Sequence, residues 1–408
     1  MRYFKNSEVV RLYNISDKTV RNWIAATQDG KIDLDLFEHK EKSYIADTIS
    51  NAHILTSLVE RSRKYRNTLA HKDLTPLAEF YDTYSPRQVI EIINDLEIHR
   101  EYPTLYRFFG EGGRYYNSYL RKLYTSSQTN ALTTAINLLK LEEDYLENLV
   151  GKYDFVNIVD VGTDNGLVSK ELVSFVIRKN KLARYIKIYS SNEMLDIAEK
   201  NSIEWFGKKA TFEKYVRDIS CEKFPEVLAA NSFNQDGSRT LNLVLSLTGD
   251  GSNLRHPEHM FRTLSESMRK EDVLIFGEKL DTENSRRFFD FNIHTDKAVL
   301  PYYNKIVIDR LAIDPSLYEI EHFFDKEEKC RFTQIRLKTD ITLHFKTNTY
   351  QKALNFKKGE TIKLWRFHQH SFQDVVDLHT CNNLDIMRTS LSEDKEYVLS
   401  MSRLRPVI

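Results

Sequence analysis

The sequence predicts an α/β protein built mainly on an open, doubly wound parallel sheet, preceded by a small all-α unit. Three observations carry that expectation. From about residue 151, hydrophobic runs of strand length alternate with helical patterns, as in successive βαβ units. The first run, Phe155 to Val161, passes at once into a glycine loop, Gly162-Thr163-Asp164-Asn165-Gly166, and a helical pattern follows from Leu167. The first seventy residues instead hold two short helical patterns joined by a tight turn.

With 408 residues the chain is long enough for two or three domains, and 41% hydrophobic content can fill their cores. The formal net charge of +0 removes any whole-molecule attraction to nucleic acid or membrane. There is no apolar run of about 18 residues and no signal-peptide core, so a membrane location is not expected. Cys221, Cys330 and Cys381 are scattered, without disulfide or metal spacing, which suits a reducing, cytoplasmic setting.

In the N-terminal unit Ser7 is placed to cap the first helix, with Val9, Val10 and Leu12 as its apolar face. Tyr13-Asn14-Ile15 makes the turn and Ser16 caps the second helix, in which Val20, Trp23 and Ile24 face inward. Lys18, Thr19, Arg21 and Asn22 then fall on the outer side, where a recognition helix carries its base and phosphate contacts. The run SDKTVRNW resembles the helix-turn-helix of MerR-like and excisionase-like DNA-binding domains, with residues 29–45 in the wing position. A long helix over about 46–66 follows and ends in the basic run RSRKYRN. Residues 1–72 hold 13 Lys/Arg against 9 Asp/Glu, a surplus that phosphate contacts can use. Double-stranded DNA is the partner this resemblance implies, and the long helix offers a dimerisation arm for a homodimer. The alternative is a helical hairpin that packs on the rest of the chain or on a partner.

Residues 73–150 read as mostly helical, with amphipathic patterns in SPRQVIEIINDLEIH and NALTTAINLLKLEEDYLENLV. Between them Tyr106, Phe108, Phe109, Tyr115 and Tyr116 are either core or pocket lining, and Gly110-Glu111-Gly112-Gly113 is a loop. After the glycine loop, ARYIKIYSSNEMLDIAEKN gives a second strand and its helix, with Ser190 and Glu193 at capping-box spacing. TFEKYVRDIS gives a third strand ending in Asp218-Ile219, LNLVLSLTGDGSNL a fourth ending in the Gly249/Gly251 loop, and EDVLIFGEKL a fifth. In such a sheet, ligands bind at the carboxyl ends of the strands. The glycines let backbone approach a ligand, and helix N–H groups would point at it.

A dinucleotide enzyme would carry Gly-x-Gly-x-x-Gly, whereas this loop is Asp160-x-Gly162-x-Asp164-x-Gly166. That form resembles motif I of class I S-adenosylmethionine (SAM) dependent methyltransferases, a Rossmann-like fold. The resemblance implies that Gly162 and Gly166 shape the turn, with Asp160 and Asp164 near the cofactor's methionine end. It likewise implies that Asp218 accepts from the adenine amino group and Ile219 covers the ring. From about residue 100 onward the chain resembles the histidine-specific, ergothioneine-type methyltransferases, through VDVGTDNG, SSNEML, YVRDIS, the SNL after the fourth strand, FGEKLD, RFTQIRLKTDITLHF and FKKGETIKLW. In that comparison an accessory domain closes over an amino-acid substrate, and Asn253 matches the asparagine that holds it. The implied domains are 1–72, a DNA-binding-like unit; 73–150, part of the accessory domain; and 151–408, methyltransferase-like, with an insertion at about 285–365.

Two departures from the family stand out. Tyr189 stands where an acid binds the ribose hydroxyls, leaving Ser190, Ser191 or Asn192 as substitutes. Trp365 and Phe367 stand where a Glu-x-Ser pair recognises the substrate amino group, which argues against histidine as substrate. His368 and His370 alternate on one strand face without a third metal ligand nearby, and His256 and His259 flank Pro257 at a helix start. No metal and no Ser/His/Asp or Cys/His arrangement is expected, and no catalytic residue is assigned. The expected function is SAM-dependent methyl transfer to a small, amino-acid-like molecule, joined to a DNA-binding-like domain. The rival is a transcription regulator that uses a degenerate methyltransferase fold as a ligand sensor.

Overall fold

The computed structural model describes residues 3–406 except 14, 40, 41, 70, 163, 231–236, 248, 284–301, 348 and 349, and no side chains at 62–69, 302 and 303. Asn14 of the anticipated turn, Thr163 of the glycine loop, the basic side chains beyond Arg61 and positions 285–301 of the anticipated insertion lie outside the described residues. Two compact units emerge: Met1–Lys72 with Lys338–Ile341, and Asp73–Leu337 with Thr342–Ile408.

In the smaller unit, helices α1 (Asn6–Tyr13) and α2 (Asp17–Gln28) precede a hairpin of β2 (Leu36–His39) and β3 (Lys42–Ala46), followed by α3 (Ile49–Leu69). A short β1 (Tyr3–Phe4) adds to β3, so the sheet order is β1-β3-β2 and the unit is not the all-α one expected: Leu36–His39 and Lys42–Ala46, part of the stretch after the two helices, pair as strands. Ser16 caps α2, accepting from the Thr19 N–H at 3.1 Å. Ser7 does not cap α1: it lies inside the helix, and the Lys5 carbonyl takes the first helical N–H bonds. Val9, Ile15, Val20, Ile24, Leu34, Ile45, Leu55 and Val59 form one core, but Leu12 faces outward, because Tyr13 reaches the core in its place. Buried Asn51 of α3 clamps the base of the hairpin, donating to the Asp35 and Ala46 carbonyls at 3.0 and 2.8 Å.

The remaining strands are β4 (Lys72–Leu74), β5 (Phe155–Val161), β6 (Leu182–Tyr189), β7 (Phe212–Val216), β8 (Thr240–Ser246), β9 (Val273–Lys279), β10 (Tyr318–Asp325), β11 (Cys330–Leu337), β12 (Ile341–Lys346), β13 (Gln351–Phe356), β14 (Thr361–His368), β15 (Leu384–Leu391) and β16 (Tyr397–Leu404). Seven of them form the central sheet, in the order β15-β16-β9-β8-β5-β6-β7. β7, β6, β5, β8 and β9 are parallel, and the order reverses between β5 and β8. That reversal is the switch point at which doubly wound sheets bind ligands. β16 runs antiparallel to β9, and β15 pairs antiparallel with β16, so the sheet is mixed rather than wholly parallel. The sequence reading missed this final hairpin, whose outer strand β15 is largely exposed and lacks the hydrophobic run of a central strand.

Alternate residues of each central strand serve opposite faces. Ile158, Leu243 and Ile275 pack on the helices at Ala131–Leu141, Glu143–Gly151 and Lys170–Arg178. Val159, Val244 and Leu274 pack on those at Asn192–Phe206, Pro257–Ser267 and Phe372–Cys381. A buried polar row crosses the sheet: Asn157 Nδ2 donates to Asn242 Oδ1 at 2.8 Å, and Asn242 Nδ2 to Asp272 Oδ1 at 3.0 Å. Within the larger unit early and late segments are joined, since Arg366 on β14 makes two 2.7 Å bonds to Glu101 and Arg107 reaches Asn304 at 3.1 Å.

Candidate functional site at the carboxyl end of the sheet

β5 ends at Val161, and the turn that follows uses two glycines in left-handed conformations, φ +136° at Gly162 and +87° at Gly166. A Cβ on Gly166 would stand 2.9 Å from the Tyr185 hydroxyl and 3.5 Å from the Trp205 ring, so only glycine lets the loop pass beneath them. The following helix starts at Lys170, three residues later than the sequence implied. Two N–H groups are satisfied within the loop: Asp164 accepts from Gly166 N, and Asn165 Oδ1 accepts from Leu167 N at 3.3 Å. Those donors do not point at a ligand, which corrects the sequence expectation.

Asp160 and Asp164 are brought together, both buried, with a cation between them that the sequence reading did not single out. Lys187, the register partner of Asp160 on β6, places Nζ 2.8 Å from Asp160 Oδ1 and 3.3 Å from Asp164 Oδ1. Asp160 also accepts from Ser169 at 2.6 Å and from Tyr185 at 3.3 Å. Asp164 is pushed up to about 7, by burial first and then by the charge of Asp160. A lysine at the inward position of a buried strand, opposite an aspartate, was the available signal.

At the end of β6, Tyr189 is fully buried and Ser190 nearly so, and neither hydroxyl has a hydrogen-bond partner among the described residues. Ser191, not Ser190, caps the next helix; it accepts from Met194 N and donates to the Phe108 carbonyl at 2.9 Å. Gly162 N donates to the Ile188 carbonyl at 3.2 Å, which ties the backbone at the end of β6 to the glycine loop. Buried hydroxyls are rarely left unsatisfied, and two at the carboxyl end of the strand next to the switch point suit the hydroxyls of a ribose.

Beyond β7, Asp218 uses Oδ1 to accept from Ser220 N and Oγ at 2.9 and 2.6 Å, while Ile219 is wholly buried in the core. Asp218 and Asn253 line one cavity of about 330 Å³, with Glu91, Tyr106 and His259. Gly162, Asp164 and Gly166 are not in its lining. Asn253 is held firmly: Oδ1 accepts from Trp365 Nε1 at 2.6 Å and Arg107 Nη2 at 3.3 Å, and Nδ2 donates to the Gly249 carbonyl at 2.8 Å. Trp365 stacks on Phe367 with centroids 5.9 Å apart. His368 and His370 stack at 5.8 Å, and no group of three metal-ligating side chains occurs among the described residues.

In the smaller unit Lys18, Arg21 and Asn22 are exposed on α2, and Arg21 pairs with Asp17. Thr19 is engaged by the cap, its hydroxyl 2.7 Å from Ser16 Oγ. No described helix is long and apolar enough to cross a membrane.

No protein-family model and no curated protein matches the chain. Similar solved structures include an S-adenosylmethionine-dependent methyltransferase from Clostridium acetobutylicum, with 13% identity and a TM-score of 0.40 over 71% of this chain and 99% of that one. A Pyrococcus horikoshii protein has 12% identity and a TM-score of 0.41, over 73% and 100% of the two chains. The magnesium protoporphyrin IX methyltransferase of Synechocystis, solved with bound SAH, has 13% identity and a TM-score of 0.38 over 72% and 97%. Likenesses this distant assign no activity to the chain.

Proposed function

We propose that the chain is a SAM-dependent methyltransferase of the class I fold, acting on a small molecule and joined to a DNA-binding N-terminal unit. The observation that carries the reading is that Tyr189 and Ser190, whose buried hydroxyls have no partner among the described residues, end the strand paired with β5, the strand that leads into the positive-φ glycine loop. Tyr189 and Ser190 would receive the ribose, Asp218 the adenine amino group, and Asp164 the methionine end, with Gly162 and Gly166 shaping the turn and Asp160 holding Lys187. Bound there, SAM would supply a methyl group on a positively charged sulfur. The chain's task is then to bind, orient and exclude water, for which no acid–base dyad is required. Asn253, fixed by Trp365 and Arg107, is a rigid positioning group at the edge of the same cavity as Asp218.

Isothermal titration calorimetry with SAM and with SAH tests this reading, repeated on Asp164→Ala and Asp218→Ala. Micromolar binding that weakens in both variants supports it; no binding of either compound by the wild-type protein sinks it.

A second reading, a DNA-binding regulator whose degenerate site senses SAM or another metabolite without turnover, is favoured by Lys187. Its ammonium already neutralises the acids expected near the cofactor's methionine end. The exposed Lys18, Arg21 and Asn22 supply the DNA side of either version. Sequence-specific DNA binding that changes with SAM, with no methyl transfer to any acceptor tried, would favour the regulator.

A further inference from the structure

β9 reaches the ligand end of the sheet at Glu278, which is fully buried. Among the described residues no lysine or arginine lies within ion-pair distance of its carboxyl group; the one basic side chain nearby is His370, at 4.0 Å. Oε2 accepts from Ser252 Oγ at 2.7 Å, and Ser252 Oγ lies 3.2 Å from His370 Nδ1. Lys279 N donates to Oε1 at 3.2 Å. The other ionisable groups that face the carboxyl are Asp250, after β8, and Tyr397 on β16, and neither brings positive charge. His370 in turn lines a cavity of about 420 Å³ with His368, Lys329 and Asp374. A continuous row of polar groups therefore runs from the buried carboxyl to a cavity.

An isolated carboxylate is costly to bury, so this one keeps its proton, and burial pushes it up to about 8. Two hydrogen bonds, from Ser252 and Lys279 N, only partly offset burial, and no described lysine or arginine pairs with it, whereas the buried acid Asp160 is matched by Lys187. A buried acid left uncompensated at the ligand end of a sheet is a group that a cation can complete.

Its surroundings indicate what carries the cation. A Cβ on Gly249 would stand 3.4 Å from Glu278 Oε1 and 3.5 Å from the Phe367 ring, so carboxyl and ring both flank Gly249. Phe367 continues into the stacked Trp365, both rings are partly exposed, and Trp365 holds Asn253. A carboxyl beside an aromatic platform complements an amine borne on an apolar or aromatic body. We propose that Glu278 is the subsite for the ammonium group of the methyl acceptor, which is an amine of that kind. As the ammonium arrives, the Glu278 proton leaves through Ser252 and His370, and a neutral acid becomes a paired carboxylate.

The proposal rests on the methyltransferase reading, and its test separates the two. SAH binding is measured first by calorimetry, and its absence overturns the cofactor reading itself. The SAH-saturated full-length protein is then titrated at pH 7 with phenethylamine and with 3-phenylpropionate, near-isosteres of opposite charge, in phosphate and in Tris buffer. The expected result is at least about tenfold tighter binding of the amine, with release of about one proton per amine bound. Glu278→Gln should keep SAH binding and lose both the charge preference and the proton release. Three outcomes overturn the proposal: neither compound binds, the carboxylate binds as well as the amine, or Glu278→Gln keeps the preference. If that variant fails to bind SAH, the charge preference and proton count of the wild-type protein still decide.

Discussion

Lys187 and Asp160 face each other across the parallel pair β5/β6, wholly buried, with Nζ 2.8 Å from the carboxylate. The pair lies directly beneath the glycine loop and also reaches Asp164, so the lysine determines how much negative charge the loop presents. Removing one member of a buried pair leaves an unmatched charge, which costs more than losing the bond alone. Lys187→Met should therefore destabilise the protein by about 3–5 kcal/mol in urea unfolding. The double variant Lys187→Met/Asp160→Leu should recover much of that loss. A single variant as stable as wild type would show that the pair does not hold the strands together.

Asp164 and Glu278, pushed up to about 7 and about 8, are each raised above their unfolded values of 3.8 and 4.5. A group raised in the folded state contributes stability that is complete below its unfolded pKa and is lost as pH rises through its folded pKa. The stability difference between wild type and Asp164→Asn, or Glu278→Gln, should thus shift against the wild type between about pH 4 and pH 8, by up to about 1.4 kcal/mol per pH unit for each carboxyl. Urea unfolding at intervals across that window measures it; differences that do not change with pH would contradict it.

His379 runs the other way. It is buried between Phe261 and Phe276, with Nδ1 2.8 Å from the Val375 carbonyl and Nε2 3.1 Å from Ser400 Oγ. Burial pushes it down to about 4 from 6.5, so its contribution is present above 6.5 and is lost as pH falls towards 4. In His379→Gln, the part of the acid destabilisation that belongs to this ring should vanish. His379 C2–H chemical shifts in an NMR titration would locate the transition directly, and a midpoint near 6.5 would exclude the effect.

Gly166 combines φ +87° with a Cβ position 2.9 Å from the Tyr185 hydroxyl. Gly166→Ala is expected to cost about 1–3 kcal/mol in stability from backbone strain and the displaced tyrosine. It should also weaken SAM binding about tenfold, because the turn proposed to shape the cofactor site moves. Thermal unfolding and calorimetry on one sample check both; an alanine variant that binds SAM like the wild type would place the cofactor elsewhere.

Lys18 and Arg21 face outward from α2, and Gln28 at its end donates to Glu38 of the hairpin at 3.0 Å, tying helix to hairpin. If this face meets DNA, Lys18→Ala/Arg21→Ala should reduce affinity for a selected duplex and lower the slope of log affinity against log salt by about 1 per lost phosphate contact. Gel-shift titrations at several salt concentrations measure this, and an unchanged slope would exclude phosphate contacts by these residues.

The chemistry written in contiguous residues was legible in the chain alone. The strands from Phe155 to Lys279, the positive-φ glycines, the Ser16 cap and the outward placement of Lys18, Arg21 and Asn22 all follow from period, turn chemistry and capping, which act over a few neighbours. The β15/β16 hairpin escaped notice because an exposed edge strand carries little hydrophobic signal. What only the tertiary structure decided is which charges meet. Lys187 comes to Asp160 because parallel strands set the register, and the Gly166 and Leu167 N–H groups are taken by Asp164 and Asn165 rather than left open. Trp365 stands where a carboxylate was expected, and sequence reasoning therefore argued against an ammonium. The fold brings the Glu278 carboxyl to the neighbouring Phe367 from a strand some ninety residues earlier. Local order depends on neighbours in sequence, whereas the compensation of a buried charge depends on neighbours in space, and those exist only once the sheet has formed.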